Sequence, residues 1–162
     1  MTKIKKSPAS PKPPLNLTVL NSQRKIPVSP ASVKQVVVFL LEKAGIWCEE
    51  LSIHFVGKQR ISSLHAEFFD DPSITDCITF PSDPPSKTCQ SLGDIFVCPE
   101  VARAYAKKHG EDLYQELTLY VVHGFLHLLG YLDTPGAEEE KMRRAEKKWM
   151  RALAKNHLSI TP

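Results

Sequence analysis

Apolar residues recur along this chain with two different periods, and the shorter period predicts strands. In LNLTVLN (residues 15–21) and WCEELSIHFVG (residues 47–57), they alternate with polar residues, which is typical of a strand with one buried face. Two short apolar runs, DCITFP (residues 76–81) and LGDIFVC (residues 92–98), are separated by a polar segment rich in proline. These runs predict two further strands, paired as a hairpin with a long loop.

Longer segments repeat their apolar residues every three or four positions, which predicts helices. The longest apolar segment, EDLYQELTLYVVHGFLHLLG (residues 111–130), is expected to form the central helix. We therefore expect an α+β fold, in which a single small mixed β-sheet of about four strands is flanked by about five helices. The other helical segments are SPASVKQVVVFLLEKAG (29–45), KQRISSLHAEFF (58–69), PEVARAYAKKHG (99–110) and GAEEEKMRRAEKKWMRALAK (136–155).

Composition fits one globular domain and gives no membrane or secretory signal. The chain has 162 residues, enough for a single core. Residues 1–14 hold four prolines and four lysines and little to bury, so they predict a disordered tail before one domain at residues 15–162. The longest aliphatic run, VVVFLL (residues 36–41), is too short to cross a bilayer, and no apolar stretch follows the first lysines.

Cysteine usage and net charge narrow the class of protein only a little. The four cysteines, Cys48, Cys77, Cys89 and Cys98, contain no CxxC pair. This spacing predicts reduced thiols with no disulfide partner in a cytoplasmic protein, and it disfavours a zinc site built from cysteines. The formal net charge of +3 permits an anionic partner such as nucleic acid without requiring one.

The segment HGFLHLLGYLD (residues 123–133) carries the candidate chemistry. His123 and His127 are four residues apart on a predicted helix, so they project from one side and can bind one metal ion together. The pair alone is a weak signal, because two structural histidines satisfied by hydrogen bonds are the common alternative. A zinc protease is disfavoured, because its glutamate base follows the first histidine directly, where this chain has Gly124.

Neighbouring residues strengthen the prediction of a metal site on the central helix and the turn after it. Glycine in a helix interior costs about 1 kcal/mol relative to alanine, so Gly124 indicates close packing of another element. Gly130 is well placed to end the helix in a left-handed turn, which brings Asp133 back towards the last helical turn. Two histidines and a carboxylate form a zinc triad that leaves a fourth position for water.

The same segment resembles the metal motif of the YbeY family of bacterial endoribonucleases, H-G-x-L-H-L-x-G-Y-D-H. Upstream, TDCITF (residues 75–80) is similar to the family's T-D-V-L-S-F, and LGDI (residues 92–95) matches its L-G-D-I. Downstream, Met142 and Glu146 fit its M-x-x-x-E. The resemblance runs in order from about Leu64 to Trp149. Within the metal motif, the matching residues are His123, Gly124, Leu126, His127, Leu128, Gly130 and Tyr131.

This resemblance implies a zinc-dependent endoribonuclease that prefers single strands and acts in ribosomal RNA maturation and small-subunit quality control. It implies one zinc ion per chain, bound by His123, His127 and Asp133, with ribosomal RNA or the small ribosomal subunit as partner. The family fold, a small mixed sheet flanked by helices, agrees with the periodicity. The attacking group would be a metal-bound water, and no side chain can be assigned as a separate base.

Two positions depart from the family pattern. Asp133 stands where the family has histidine; a carboxylate also binds zinc, but it lowers the charge of the site and acidifies bound water less. Alignment of the family's L-N-x-x-[YF]-R on LHAEFF (residues 64–69) places Phe69 at the arginine. Phenylalanine cannot grip phosphate as the arginine fork does. Either another cation takes over, or cleavage is weak; the candidates are Lys58, Arg60 and Lys87.

Charged residues elsewhere supply further candidates. Asp76 and Asp94 are expected either to orient a ligand histidine or to serve their own loops. The last predicted helix carries a basic stripe, which indicates either contacts with RNA phosphates or the solvated face of a core-packing helix. His54, His109 and His157 are expected to have no part in the site. The stripe consists of Lys141, Arg144, Lys148, Arg151 and Lys155.

Three functions remain open from the sequence. The leading one is the metal-dependent endoribonuclease. The second is a ribosome-assembly factor with weak or lost catalysis and a structural zinc, which Phe69 favours. The third is another metallohydrolase or a non-haem iron enzyme, because two histidines and one carboxylate also suit iron.

Overall fold

The predicted α+β fold is confirmed by the computed structural model, which describes residues 15–84 and 88–162. The predicted disordered tail and the candidate Lys87 lie outside these residues. The strands are β1 (Asn16–Asn21), β2 (Trp47–Phe55), β3 (Cys77–Pro81) and β4 (Thr88–Val97). The helices are α1 (Pro30–Ala44), α2 (Lys58–Phe69), α3 (Pro99–His109), α4 (Leu113–Leu128) and α5 (Ala137–Lys155).

The sheet is mixed, with strand order β1-β2-β4-β3. β1, β2 and β4 run parallel, and β3 runs antiparallel to β4, so the predicted hairpin between the last two strands is confirmed. Parallel neighbours need a crossover connection, and α1 provides it between β1 and β2.

The main core lies between one face of this sheet and helices α1, α4 and α5. β2 and β4 contribute alternate residues to it, as their period of two requires, and α1 contributes a buried apolar stripe. α4 is buried along most of its length, which agrees with its predicted central position. Core residues of this helix are Leu117, Val121, Val122, Phe125, Leu126 and Leu128.

A smaller apolar cluster lies on the opposite face of the sheet, where α2 packs on the β3–β4 hairpin. Ile61 and Leu64 of α2 are buried there together with Ile78 of β3. Phe80 and Phe96 pack against this cluster with their rings edge to face, at 5.7 Å between centroids. No helix in the described ranges is long and apolar enough to cross a membrane.

The helix ends follow from local sequence. The Ser29 side chain accepts a hydrogen bond from the Ser32 amide at the start of α1, and Gly45 ends that helix with φ of 65°. At the start of α4, the Asp112 carboxylate accepts a bond from the Gln115 amide at 2.9 Å. α5 begins with three glutamates and ends with a lysine, which suits the helix dipole at both ends.

Gly124 lets α4 approach the β3–β4 hairpin closely. A Cβ atom built on this residue would lie 2.5 Å from Ile95 Cγ2 of β4 and 2.9 Å from Cys77 Sγ of β3. These separations are far below van der Waals contact. The cost of a helical glycine is therefore offset by the close packing of this helix on the sheet.

Replacing Gly124 with alanine is expected to destabilise the protein. Alanine gains about 1 kcal/mol of helix propensity, but overpacking a filled core typically costs about 1–3 kcal/mol. Ile95 is fully buried and β-branched, so its methyl group cannot move aside cheaply. Urea unfolding of Gly124→Ala, Ile95→Ala and the double variant measures the coupling. Independent, additive losses would contradict the proposed contact.

Candidate metal centre

The structure brings together the three side chains that the sequence predicted as ligands. His123 Nε2 and His127 Nε2 lie 2.9 Å apart, and Asp133 Oδ2 lies 3.5 Å from each of them. Tetrahedral zinc ligands at about 2.0–2.1 Å from the ion stand about 3.3 Å from one another. The donor types and their separations therefore fit one zinc ion with a further position open.

The turn after α4 places Asp133 beside the histidines. Gly130 adopts φ of 94°, a conformation that side chains disfavour, and its amide donates to His127 O at 2.9 Å. The Tyr131 amide then donates to Leu126 O at 3.0 Å, so the chain reverses over the last helical turn. Asp133 follows two residues later with its side chain 53% exposed, and the site is open to solvent on this side.

Hydrogen bonds at the Nδ1 atoms fix the orientation and tautomer of both rings. His127 Nδ1 lies 2.9 Å from Tyr131 O, and His123 Nδ1 lies 2.6 Å from Glu146 Oε1. A carbonyl and an ionised carboxylate only accept, so each Nδ1 carries the proton. In the neutral form of each ring, Nε2 then presents a lone pair to the centre of the site, as ligation requires.

Carboxylates shape the electrostatics around His123. Burial alone lowers the pKa of this imidazole, but the hydrogen bond with Glu146 and the charges of Asp76 and Asp133 raise the pKa above its ordinary value. Burial raises the pKa of Glu146, yet its bond with His123 and the nearby Arg143 lower that pKa overall. The surroundings of His123 thus favour a positive charge, whether of a proton or of a metal ion.

A cavity of about 280 Å³ adjoins the ligands. Within it, burial raises the pKa of the Glu116 carboxyl, and Tyr120 donates a hydrogen bond to this group. Among the described residues that line this cavity, Arg143 is the one lysine or arginine, and its guanidinium lies 3.2 Å from Glu146 Oε2. The lining residues are Asp76, Tyr105, Glu116, Leu119, Tyr120, His123, Asp133, Arg143 and Glu146.

The two aspartates predicted to support the site have different surroundings. Asp76 lines the cavity beside His123, although its own bonds go to Thr75 Oγ1 at 3.1 Å and to the Cys77 amide at 2.7 Å. Asp94 Oδ1 instead lies 2.8 Å from His54 Nε2. Neither aspartate is hydrogen-bonded to His123 or His127 among the described residues.

The predicted RNA-contacting residues are spread over several surfaces. Lys58 lines a depression with Arg24, Lys25 and Glu100, and Arg60 is exposed on α2. Lys141, Arg144 and Lys148 line a second depression with Tyr131 and Trp149. Arg151 extends this basic surface further along α5. Tyr131 connects the second depression to the candidate ligand His127 through its carbonyl oxygen.

Two residues of α5, Glu146 and Arg143, lie at the site although the sequence did not predict them there. Glu146 matches the family pattern, but no motif or spacing pairs it with His123, 23 positions earlier. Arg143 stood among other basic residues of α5 without a distinguishing signal. Its relation to His123 depends on the angle at which α5 packs on α4, which no spacing along the chain reveals.

Comparison with known proteins decides the family. The family model described as Endoribonuclease YbeY matches residues 18–154. The chain belongs to the YbeY family. An Endoribonuclease YbeY of Protochlamydia amoebophila is 40% identical over 141 residues, covering 86% of this chain and 94% of that protein. Another from Chlamydia pneumoniae is 36% identical over 152 residues, covering 91% and 96%.

A solved structure supports the fold of this YbeY family member. The solution structure of TM1509 from Thermotoga maritima aligns with a TM-score of 0.58 over 83% of this chain and 86% of that one. Its sequence identity of 24% makes this a likeness of fold alone. The family resemblance carried by HGFLHLLGYLD is confirmed, and with it the class of RNA-cleaving hydrolases to which the YbeY family belongs.

We expect protein purified without added metal to contain about one zinc ion per chain. The reason is the convergence of His123 Nε2, His127 Nε2 and Asp133 Oδ2. Elemental analysis of the wild type and of a His123→Ala, His127→Ala double variant provides the test. A matched control, His109→Gln with His157→Asn, changes two exposed histidines and should keep the metal. Undiminished zinc in the first double variant would contradict the site.

Asp133→His is expected to preserve or tighten zinc binding, because it supplies the imidazole that the YbeY motif carries here. A neutral ligand also withdraws less of the ion's charge, so bound water should become more acidic. Competition with a chromogenic chelator measures the affinity, and Asp133→Asn serves as a control that removes charge without adding imidazole. A folded Asp133→His variant with clearly weaker zinc affinity would count against Asp133 as a ligand.

Proposed function

We propose that this chain is a zinc-dependent endoribonuclease that cleaves single-stranded RNA in the cytoplasm, in ribosomal RNA maturation and small-subunit quality control. The observation that carries the proposal is the meeting of His123, His127 and Asp133 at the metal motif of an endoribonuclease family. Ribosomal RNA within the small subunit is the proposed substrate.

The side chains present fit this chemistry. A zinc ion bound here would polarise a phosphate oxygen and acidify water. Glu146 and the Tyr131 carbonyl accept hydrogen bonds from the two Nδ1 atoms, which leaves Nε2 of His123 and of His127 as the atom that would bind the ion. Asp133 is half exposed, so an extended RNA strand can reach the open side of the site. The backbone of an RNA duplex is stiffer than that of a single strand and fits such a recess less readily.

Arg143 is the cation that we propose for the scissile phosphate. Four carboxylates line the cavity beside the candidate ligands and repel phosphate, and Arg143 is the one lysine or arginine among its described lining residues. Its side chain is 62% exposed and is positioned by Glu146 at 3.2 Å. An arginine fork binds phosphate in a bidentate manner. Arg143 can therefore bind the phosphate that the family arginine would bind and that Phe69 cannot. We propose it instead of the earlier candidates Lys58, Arg60 and Lys87.

The second candidate function is a ribosome-assembly factor with weak or lost catalysis and a structural zinc. Phe69 favours it, since this exposed residue at the end of α2 carries no charge. In the same alignment, His65 stands where the family pattern has asparagine. The rings of His65 and Phe69 lie 5.5 Å apart between centroids, so aromatic side chains occupy both positions. RNA cleavage assays separate the two functions.

Wild-type protein loaded with zinc is expected to cleave single-stranded ribosomal RNA fragments, and His127→Ala or a chelator should abolish this. Arg143→Ala should slow cleavage roughly 10- to 150-fold, the effect of losing a charge-assisted contact of about 1.5–3 kcal/mol. Arg103→Ala, which removes an exposed arginine from α3, is the control. Each variant needs a metal determination, because Arg143 also contacts Glu146.

Phe69→Arg decides between the candidates. If Arg143 serves the phosphate, the added arginine should change the rate by less than about threefold, a small fraction of a charged contact. A gain of an order of magnitude or more would show that the phosphate contact was missing and contradict the role given to Arg143. Folded, zinc-loaded wild type that cleaves none of these RNAs would favour the assembly factor.

A further inference from the structure

A basic groove runs between the C-terminal half of α5 and the end of α1. It has a volume of about 590 Å³, and α5 supplies most of its cations. Lys43, from the last turn of α1, faces them across the groove. Among residues 15–84 and 88–162, none of those that line it is acidic; they are Lys43, Arg144, Lys147, Lys148, Arg151, Ala152, Lys155 and Asn156.

The charges of this groove are largely uncompensated within the protein. Three of the four glutamates of α5 stand in its first turn, where Glu138 pairs with Lys141 at 2.9 Å and Glu140 pairs with Arg144 at 3.7 Å. The fourth, Glu146, is directed to His123 and Arg143. In the described residues, no ion pair is formed by Lys43, Lys147, Lys148, Arg151 or Lys155. The six cationic side chains that line the groove repel one another, and a bound polyanion would relieve that repulsion.

The groove is continuous with the surface beside the metal site. A smaller depression of about 340 Å³ shares Arg144 and Lys148 with it and is also lined by Tyr131 and Trp149. Tyr131 is the residue whose carbonyl holds His127. Both aromatic residues are partly buried against the core and border this depression. The cations from Lys141 to Lys155 extend about 21 Å along the helix.

We infer that this groove is an RNA-binding surface separate from the metal site, which holds the phosphates of a single strand after it leaves the cleavage position. The inference rests on the proposed function for the identity of the polyanion. It assigns Lys43, Lys147 and Lys155 to phosphate contacts, and it requires neither the metal nor cleavage for RNA to bind. A solvated helix face would need no partner lysine from α1 and no concave shape.

Fluorescence anisotropy in the presence of a chelator tests this surface without cleavage. The probes are labelled single-stranded RNAs of about four and about sixteen nucleotides. The groove variant combines Lys43→Gln, Lys147→Gln and Lys155→Gln. Its control combines Arg103→Gln, Lys107→Gln and Lys108→Gln, which removes as much charge from exposed positions on α3. Thermal unfolding checks that both variants are folded.

The groove variant is expected to bind the longer RNA roughly tenfold more weakly than wild type, while the shorter RNA is little affected. Between about 50 mM and about 200 mM salt, its slope of log affinity against log salt should be shallower by about 2, or about 0.7 per lost phosphate contact. The control should match wild type in both respects.

Equal binding of the longer RNA by wild type and groove variant would overturn the inference, as would an equal loss in the control. Phosphatidylglycerol vesicles are a further probe. If the groove substitutions weaken binding to these vesicles but not to RNA, the inference is overturned, because the groove would then serve a membrane surface. If RNA binding behaves as expected but zinc-loaded protein cleaves no RNA, the proposed function fails and the groove stands.

Discussion

The close contact of Gly124 with the β3–β4 hairpin is the constraint on which the site depends. Because Gly124 has no Cβ, α4 can lie directly on Ile95 and Cys77. That position fixes the rotation of α4 about its axis, so that His123 meets Glu146 of α5 and His127 meets the turn after α4. A larger residue would lift the helix and displace both imidazoles together, although neither histidine touches the substituted atom.

The remaining parts of the site are supplied by segments that α4 organises. Gly130 reverses the chain so that Asp133 faces the histidines, and the same turn delivers the Tyr131 carbonyl to His127. Glu146 reaches His123 from α5, where it also holds Arg143. One carboxylate thus sets the tautomer of a ligand and the position of the proposed phosphate contact. In the proposed function, this arrangement couples metal binding to phosphate binding through Glu146.

The sequence predicted the elements and the convergence of the three candidate ligands because both are local. Periods of two and of three to four marked the strands and helices, and the ligands lie within HGFLHLLGYLD. The sequence did not predict the contacts between side chains of different helices and strands. Glu146 with His123, Arg143 beside the cavity, and Asp94 with His54 all depend on how elements pack. Lys43 likewise joins the basic groove only because the end of α1 lies against α5.

X-ray absorption at the zinc edge tests the central claim, that these residues form a zinc centre, most directly. The sample is wild-type protein purified without added metal. The account predicts a first shell of nitrogen and oxygen at about 2.0–2.1 Å, with outer-shell scattering from two imidazole rings. Sulfur at about 2.3 Å would instead place the metal on cysteines and contradict the site, and so would a shell without imidazole.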